Sequence, residues 1–268
     1  MNGSSERRVA LVTGAAQGIG LGIARTMAAA SYDLLLTDVE RDLVRAEAAS
    51  IASDGGRAIG EPLDVTCAED WARAVEQAVS QWGGIDVLVN CAGISPRGTI
   101  ESTDEALWDR TLSINLKGAW LGIKAAMPTL RDRRGTIVNI GSVRATRPMP
   151  GLFSYVVSKA GLWGLTQQVA VECLDIGVSC NMVAPGWVDT PNERQIQARH
   201  GRPDFPAGLR NLTTPEEVGA AVLYLASEPA RKITGSILYL DSGLHVADDA
   251  GMVHLPDRSR PPYEQRFD

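Results

Sequence analysis

A chain of 268 residues that is 44% hydrophobic and 22% charged has the composition of a globular protein with one large core. Its 26 Lys and Arg against 32 Asp and Glu leave a net charge of -6, with no basic footprint for nucleic acid and no block of like charge. No uninterrupted apolar run reaches the roughly 20 residues that a membrane-spanning helix needs.

The first predicted element is the strand VALVT, 9–13. Arg7-Arg8 ahead of it has the layout of a secretory leader, but Gly14, Gly18, Gly20 and Gly22 weaken any leader helix, and a cytoplasmic protein is expected. A helical segment follows at 18–30, then the strand DLLLT at 33–37, a helix at 40–53, a strand around Ala58-Ile59 and a helix at 68–81. The strand DVLVN at 86–90 leads to a long helix, 105–130, and TIVNI at 136–140 leads to a second, 154–175. VSCNMV at 178–183, a helix at 215–226 and SILYL at 236–240 complete the series. Thr214-Pro215-Glu216-Glu217 opens that last helix with a capping residue, a proline and first-turn acids.

The strands read as continuously apolar, as strands buried on both faces do, and they alternate with helices. The expected fold is a single α/β domain of the doubly wound Rossmann type over 1–268, its seven-stranded, mostly parallel sheet carrying helices on both faces. Residues 186–213 are expected to be an irregular substrate loop, and 244–268 a C-terminal extension. Cys67, Cys91, Cys173 and Cys180 form no Cys-x-x-Cys pair and have no histidine partners at zinc spacing, so four small buried side chains and no metal site are expected.

In such a sheet a dinucleotide binds at the carboxyl ends of the strands. Strand 9–13 runs into Gly14-Ala15-Ala16-Gln17-Gly18-Ile19-Gly20 and then a helix. Glycine allows a tight turn and close approach to a pyrophosphate, and the helix N-terminus offers unpaired N–H groups. Asp38 ends the second strand, 24 residues after Gly14. There its carboxylate can accept hydrogen bonds from the adenosine ribose and repel a 2′-phosphate, which predicts NAD over NADP despite Arg41 nearby.

Tyr155 and Lys159 stand four apart at the start of a helix and share a face. A tyrosine pKa of about 10 is too high for a general base at neutral pH, so the Lys159 cation, together with the nicotinamide, is expected to lower it. Ser142 lies 13 residues before Tyr155, just past the same strand, where its hydroxyl can steady a substrate oxygen.

With these residues in order, residues 8 to about 243 resemble the short-chain dehydrogenase/reductase family. Thr13-Gly14, Gly18, Ile19 and Gly20 are similar to its cofactor loop, in which Gln17 also stands. Asp64-Val65 resembles its adenine-contacting pair. Asn90-Cys91-Ala92-Gly93 resembles its Asn-Asn-Ala-Gly motif, with Cys91 departing from the pattern. Pro185-Gly186, with Val188 and Thr190 following, resembles its nicotinamide-contacting loop. Asn115 resembles its catalytic Asn, completing a tetrad with Ser142, Tyr155 and Lys159.

The resemblance implies hydride transfer between a secondary alcohol or ketone and a nicotinamide, with Tyr155 as acid/base and Lys159 on the nicotinamide ribose. It also implies a homotetramer, or a homodimer, packed through 105–130 and 154–175. Ser95, Arg97, Arg144, Met149, Trp187 and Asn192, with parts of 193–212, are expected to form the substrate pocket. An inward arginine there suits a sugar, polyol or hydroxy acid. The alternatives are a carbonyl reductase of the 3-oxoacyl type and a non-catalytic NAD-binding sensor.

Overall fold

A computed structural model describes residues 7–199 and 212–246. The sheet contains β1 (Val9–Thr13), β2 (Asp33–Asp38), β3 (Arg57–Pro62), β4 (Val87–Asn90), β5 (Thr136–Ile140), β6 (Ser179–Pro185) and β7 (Ile237–Leu240). Their order is β3-β2-β1-β4-β5-β6-β7, and every pairing is parallel. The order reverses between β1 and β4, so the crevice for a ligand opens above those two strands.

Helices α1 (Gly18–Ala29), α2 (Arg41–Ser53), α3 (Ala68–Trp82), α4 (Glu105–Leu112), α5 (Gly118–Arg133), α6 (Phe153–Glu172), α7 (Pro191–Arg199) and α8 (Pro215–Leu225) cover both faces. Alternate residues of each strand divide between two cores, as a period of two requires. Ala10, Val12, Leu34 and Leu36 pack with Ile23 and Met27 of α1 and Val218 and Val222 of α8. Leu11, Leu35, Leu88 and Ile137 pack on the opposite face with Trp71 of α3 and Ile123 and Leu130 of α5.

The predicted start of α8 is present in full. Thr214 Oγ1 accepts from the Glu217 N–H at 3.2 Å, and Glu217 Oε2 accepts from the Thr214 N–H at 2.7 Å. The α1–α8 crossing depends on Gly22, where a Cβ would fall 2.2 Å from Pro215 Cβ. Gly22→Ala is therefore expected to destabilise the protein by about 1–3 kcal/mol through overpacking. A urea midpoint lower than the parent's, with an unchanged m-value, is the result expected.

Two predicted elements differ from what forms. The single helix expected over 105–130 contains a five-residue π-turn, Ser113–Lys117, between α4 and α5. The stretch 186–213, expected to be irregular, contains α7, and the isolated bridge Val188↔Thr213 ties its base. Within the substrate loop 200–211 lie outside the described residues, as do 247–268 of the C-terminal extension. Among the described residues no helix is long and apolar enough to cross a membrane.

Candidate active site

A cleft of about 740 Å³ opens above the β1–β4 switch point. Its floor is the turn between β1 and α1. Gly14 there has φ 65°, and a Cβ on it would stand 2.9 Å from Ala92 Cα in the turn after β4. Only a residue without a side chain fits a left-handed turn pressed so closely against a second backbone. The Thr13 hydroxyl ties the two turns, accepting from the N–H groups of Cys91 and Ala92 at 3.0 Å each.

Asp38 reaches the cleft from the end of β2. Its two oxygens accept from the Ala16 and Glu40 N–H groups, each at 3.1 Å, which holds the carboxylate in place. Asp64 and Val65 line the wall, and Asp64 Oδ1 accepts from both the N–H and the hydroxyl of Thr66 at 2.8 Å. Of the predicted cofactor residues, Gly14, Gln17, Gly18, Ile19, Gly20, Asp38, Asp64, Val65, Ala92, Gly93 and Thr190 all line this cleft. The cradle left by glycine and the carboxylate at the second strand fit a nicotinamide dinucleotide.

Three predicted cofactor residues support the cleft from behind. Asn90 is buried in the sheet, where its side-chain amide donates to Asn139 Oδ1 at 2.8 Å. Pro185 and Val188 are buried as well. Cys91 and Cys67 correct the expectation of four buried cysteines. Both are half-buried, Cys91 on the wall of the cleft and Cys67 beside Glu69, while Cys173 and Cys180 are buried.

A second, smaller pocket of about 110 Å³ holds Ser142 and Tyr155 together. Five predicted substrate residues, Ser95, Arg97, Arg144, Met149 and Trp187, line it too. The sixth, Asn192, lines the larger cleft instead, and Gly186, expected on the cofactor, lines the small pocket. Val143 and Leu152 complete the described wall without having been anticipated, and Glu193 comes from the stretch 193–212 that was expected to contribute. Glu193 sits on α7, the helix that the weak apolar periodicity of 186–213 concealed.

Ser142 ends β5's exit turn, and its Oγ accepts from the Arg144 N–H at 3.1 Å. It also lies against the Tyr155 phenol as a hydrogen-bonding partner. Lys159, one turn beyond Tyr155 on α6, is buried; its Nζ donates to the Ile140 carbonyl at 2.8 Å and stands 5.8 Å from the Tyr155 ring centre. Asn115 occupies the π-turn. Its amide donates to the Ile94 carbonyl at 2.8 Å and to Ser158 Oγ at 2.9 Å, and its Oδ1 accepts from the Ile94 N–H at 2.8 Å. A Cβ on Gly93 would lie 3.2 Å from Asn115 Oδ1 and 3.6 Å from Lys159 Nζ, which places Asn115, Lys159 and the cleft wall side by side.

Burial raises the Tyr155 phenol above its ordinary value; Ser142, Arg144 and Arg97 lower it and Glu193 raises it, with burial dominant. Burial also pulls Lys159 down, to about 8. Between about pH 8 and 10.5 the native lysine has therefore shed a proton that the unfolded chain keeps, so this residue's contribution to stability rises with pH across that window. The full excursion is about 3 kcal/mol. Lys159→Met is expected to remove that rise, seen as a gap in urea stability between the two proteins that narrows from pH 7 to pH 9.5.

Comparison with known proteins follows the same outline. Residues 14–245 match the family described as enoyl-(acyl carrier protein) reductase. A trans-4-hydroxycyclohexanecarboxylate dehydrogenase from Sinomonas cyclohexanicum is 36% identical over 242 residues, 88% of this chain and 92% of the relative. A D-beta-hydroxybutyrate dehydrogenase from Cupriavidus necator is 34% identical over 88% of this chain and 97% of its own length. A 3-alpha-(or 20-beta)-hydroxysteroid dehydrogenase from Mycobacterium bovis is 35% identical over 95% of this chain and 94% of its own. The chain belongs to the short-chain dehydrogenase/reductase family, and it is an oxidoreductase acting on CH–OH groups.

Proposed function

We propose that this protein interconverts a secondary alcohol and a ketone with NAD, using Tyr155 as the acid/base residue. The observation that carries the reading is the meeting of Ser142 and Tyr155 in one pocket, beside a cleft whose floor is glycine and whose far wall is Asp38. The secondary alcohols in the relatives' names agree with it.

A bound nicotinamide supplies the hydride acceptor for oxidation, or the donor for reduction. Tyr155 takes the hydroxyl proton as the carbinol carbon loses hydride, and returns it in the other direction. Ser142 donates to the substrate oxygen while charge develops on it. Lys159 acts by charge and by holding position rather than as the base, since its Nζ is turned to the Ile140 carbonyl. Asn115 braces the Ile94 backbone and Ser158 beneath Lys159. Asp38 would accept from the ribose hydroxyls of the bound cofactor and oppose a 2′-phosphate there, which favours NAD. The acyl-carrier alternative has less support, because Asp38 opposes the phosphorylated cofactor that such reductases favour.

Assembly into a homo-oligomer through α5 and α6 is proposed as well. Trp120 on α5, Val171 on α6 and Leu174 just beyond it are exposed, apolar side chains in need of cover. The test of function is NADH formation at mildly alkaline pH over sugars, polyols, hydroxy acids and steroids, with NADP in parallel. Turnover of one class with NAD supports the reading. Silence across the whole panel, with NADH binding retained, overturns it.

A further inference from the structure

The small pocket holds more than the groups that move a proton. Arg97 and Arg144 both line it, and Arg97 is among the charges felt by Arg144. Arg144 is half-buried, and burial is the main reason its pKa falls, with Arg147 and Arg97 adding repulsion. Among the described residues neither Arg97 nor Arg144 pairs with a carboxylate. The Arg144 side chain makes a single long contact, from NH1 to the Arg147 carbonyl at 3.5 Å. A guanidinium with five donors, drawn partly out of water without an anion, leaves most of its hydrogen-bonding capacity unspent.

Both arginines share the pocket of Ser142 and Tyr155, Arg144 half-buried and Arg97 exposed at its mouth. Arg144 lies two residues beyond Ser142, on the short turn Val143–Ala145. Arg97 precedes Gly98, which is pinned to the start of α6: the Gly98 N–H donates to the Gly151 carbonyl at 3.1 Å, and the Phe153 N–H donates to the Gly98 carbonyl at 3.0 Å. Tyr155 is therefore on the element to which the Arg97 loop is fastened. Between these polar groups the wall is apolar, from Val143, Met149, Leu152 and Trp187. Glu193 is the carboxylate of the described wall, so two cations face one acid.

We infer that the substrate is a small secondary hydroxy acid, or the matching keto acid, whose carboxylate is held by Arg97 and Arg144 while its carbinol carbon rests against Ser142 and Tyr155. The inference rests on the dehydrogenase reading and narrows it. A neutral sugar or polyol would leave both charges without an opposite charge. A planar carboxylate meets the guanidinium fork with two parallel hydrogen bonds.

The test separates binding from turnover. The full-length enzyme saturated with NADH is titrated with 4-oxopentanoate and 3-oxocyclohexanecarboxylate, each against its methyl ester, with cofactor fluorescence as the readout. The corresponding hydroxy acids and esters are assayed for NADH formation. Each acid is expected to outbind its ester at least tenfold. Arg144→Gln and Arg97→Gln should each bring that ratio down by about tenfold, towards one, with NADH affinity as the check on folding. Arg144→Lys should restore part of it. Equal affinity for acid and ester, including none for either, or a ratio unmoved in both variants, overturns the carboxylate site; turnover of the ester would leave the dehydrogenase reading standing. Selective binding of the acids with no turnover of any compound supports the anion site and overturns the dehydrogenase chemistry instead.

Discussion

Tyr155→Phe is expected to lower kcat by about 10²- to 10⁴-fold, the range for loss of a positioned acid/base group, while NADH affinity stays within about twofold. The substitution removes one oxygen and keeps the ring, so the packing at the start of α6 survives. Lys159 stands 5.8 Å from the ring centre with its Nζ bonded to the Ile140 carbonyl, and Glu193, in the same pocket, is the remaining carboxylate of the described wall. Ser142 has a hydroxyl, but a serine hydroxyl at its free pKa is a poor proton acceptor and donor. A Ser142→Ala protein should therefore lose less than the Tyr155 variant, because it removes a donor to the oxygen and leaves the proton route in place. Single-turnover kinetics with saturating NAD make the comparison; a Tyr155→Phe enzyme as fast as the parent would end the assignment.

The second large effect concerns the cofactor. Asp38→Asn is expected to raise the ratio of kcat/KM for NADP to that for NAD by at least about tenfold, with most of the gain in KM. Two like charges about 4 Å apart repel by about 4 kcal/mol at an effective dielectric near 20, and solvent screening reduces that figure. Asparagine keeps one oxygen to accept from the Ala16 or Glu40 N–H, so the loop is not released. Glu40 lines the same cleft and remains as a second carboxylate, so the reversal should be incomplete. An unchanged ratio would remove Asp38 from the selectivity argument.

Much of this site is legible in the chain because its signals are local. Gly14, Gly18 and Gly20 follow directly on β1, Asp38 closes β2, and Ser142 follows β5, so strand ends alone bring them to one edge of the sheet. The substrate wall was legible for the same reason at Ser95 and Arg97 after β4 and at Arg144 and Met149 after β5. Long-range burial is what a linear pattern does not carry. The four-residue spacing of Tyr155 and Lys159 fixes a shared face, but not that both groups would be desolvated, nor that the cations lowering the phenol would be Arg144 and Arg97. The helix α7 escaped notice because its mean hydropathy is low and it buries no continuous stripe, so the true position of Asn192 went with it.

The π-turn at Ser113–Lys117 links the site to the core in a way that bears on how the chain tolerates deletion. A wider turn behaves as one residue inserted into a regular helix. Winding 113–117 as ordinary α-helix with every residue kept would rotate everything downstream by about 100°. Gly122 would then take the place of Ile123, Ala125 that of Ala126, and Thr129 that of Leu130, leaving Trp71 and the sheet against smaller or polar side chains. The register of α5 and the aim of Asn115 are thus set by the same extra residue. Loss of one residue here can keep the inner face of α5 only by closing the wide turn that aims Asn115, so the frame of the sequence at this point is constrained by the site and not by the core.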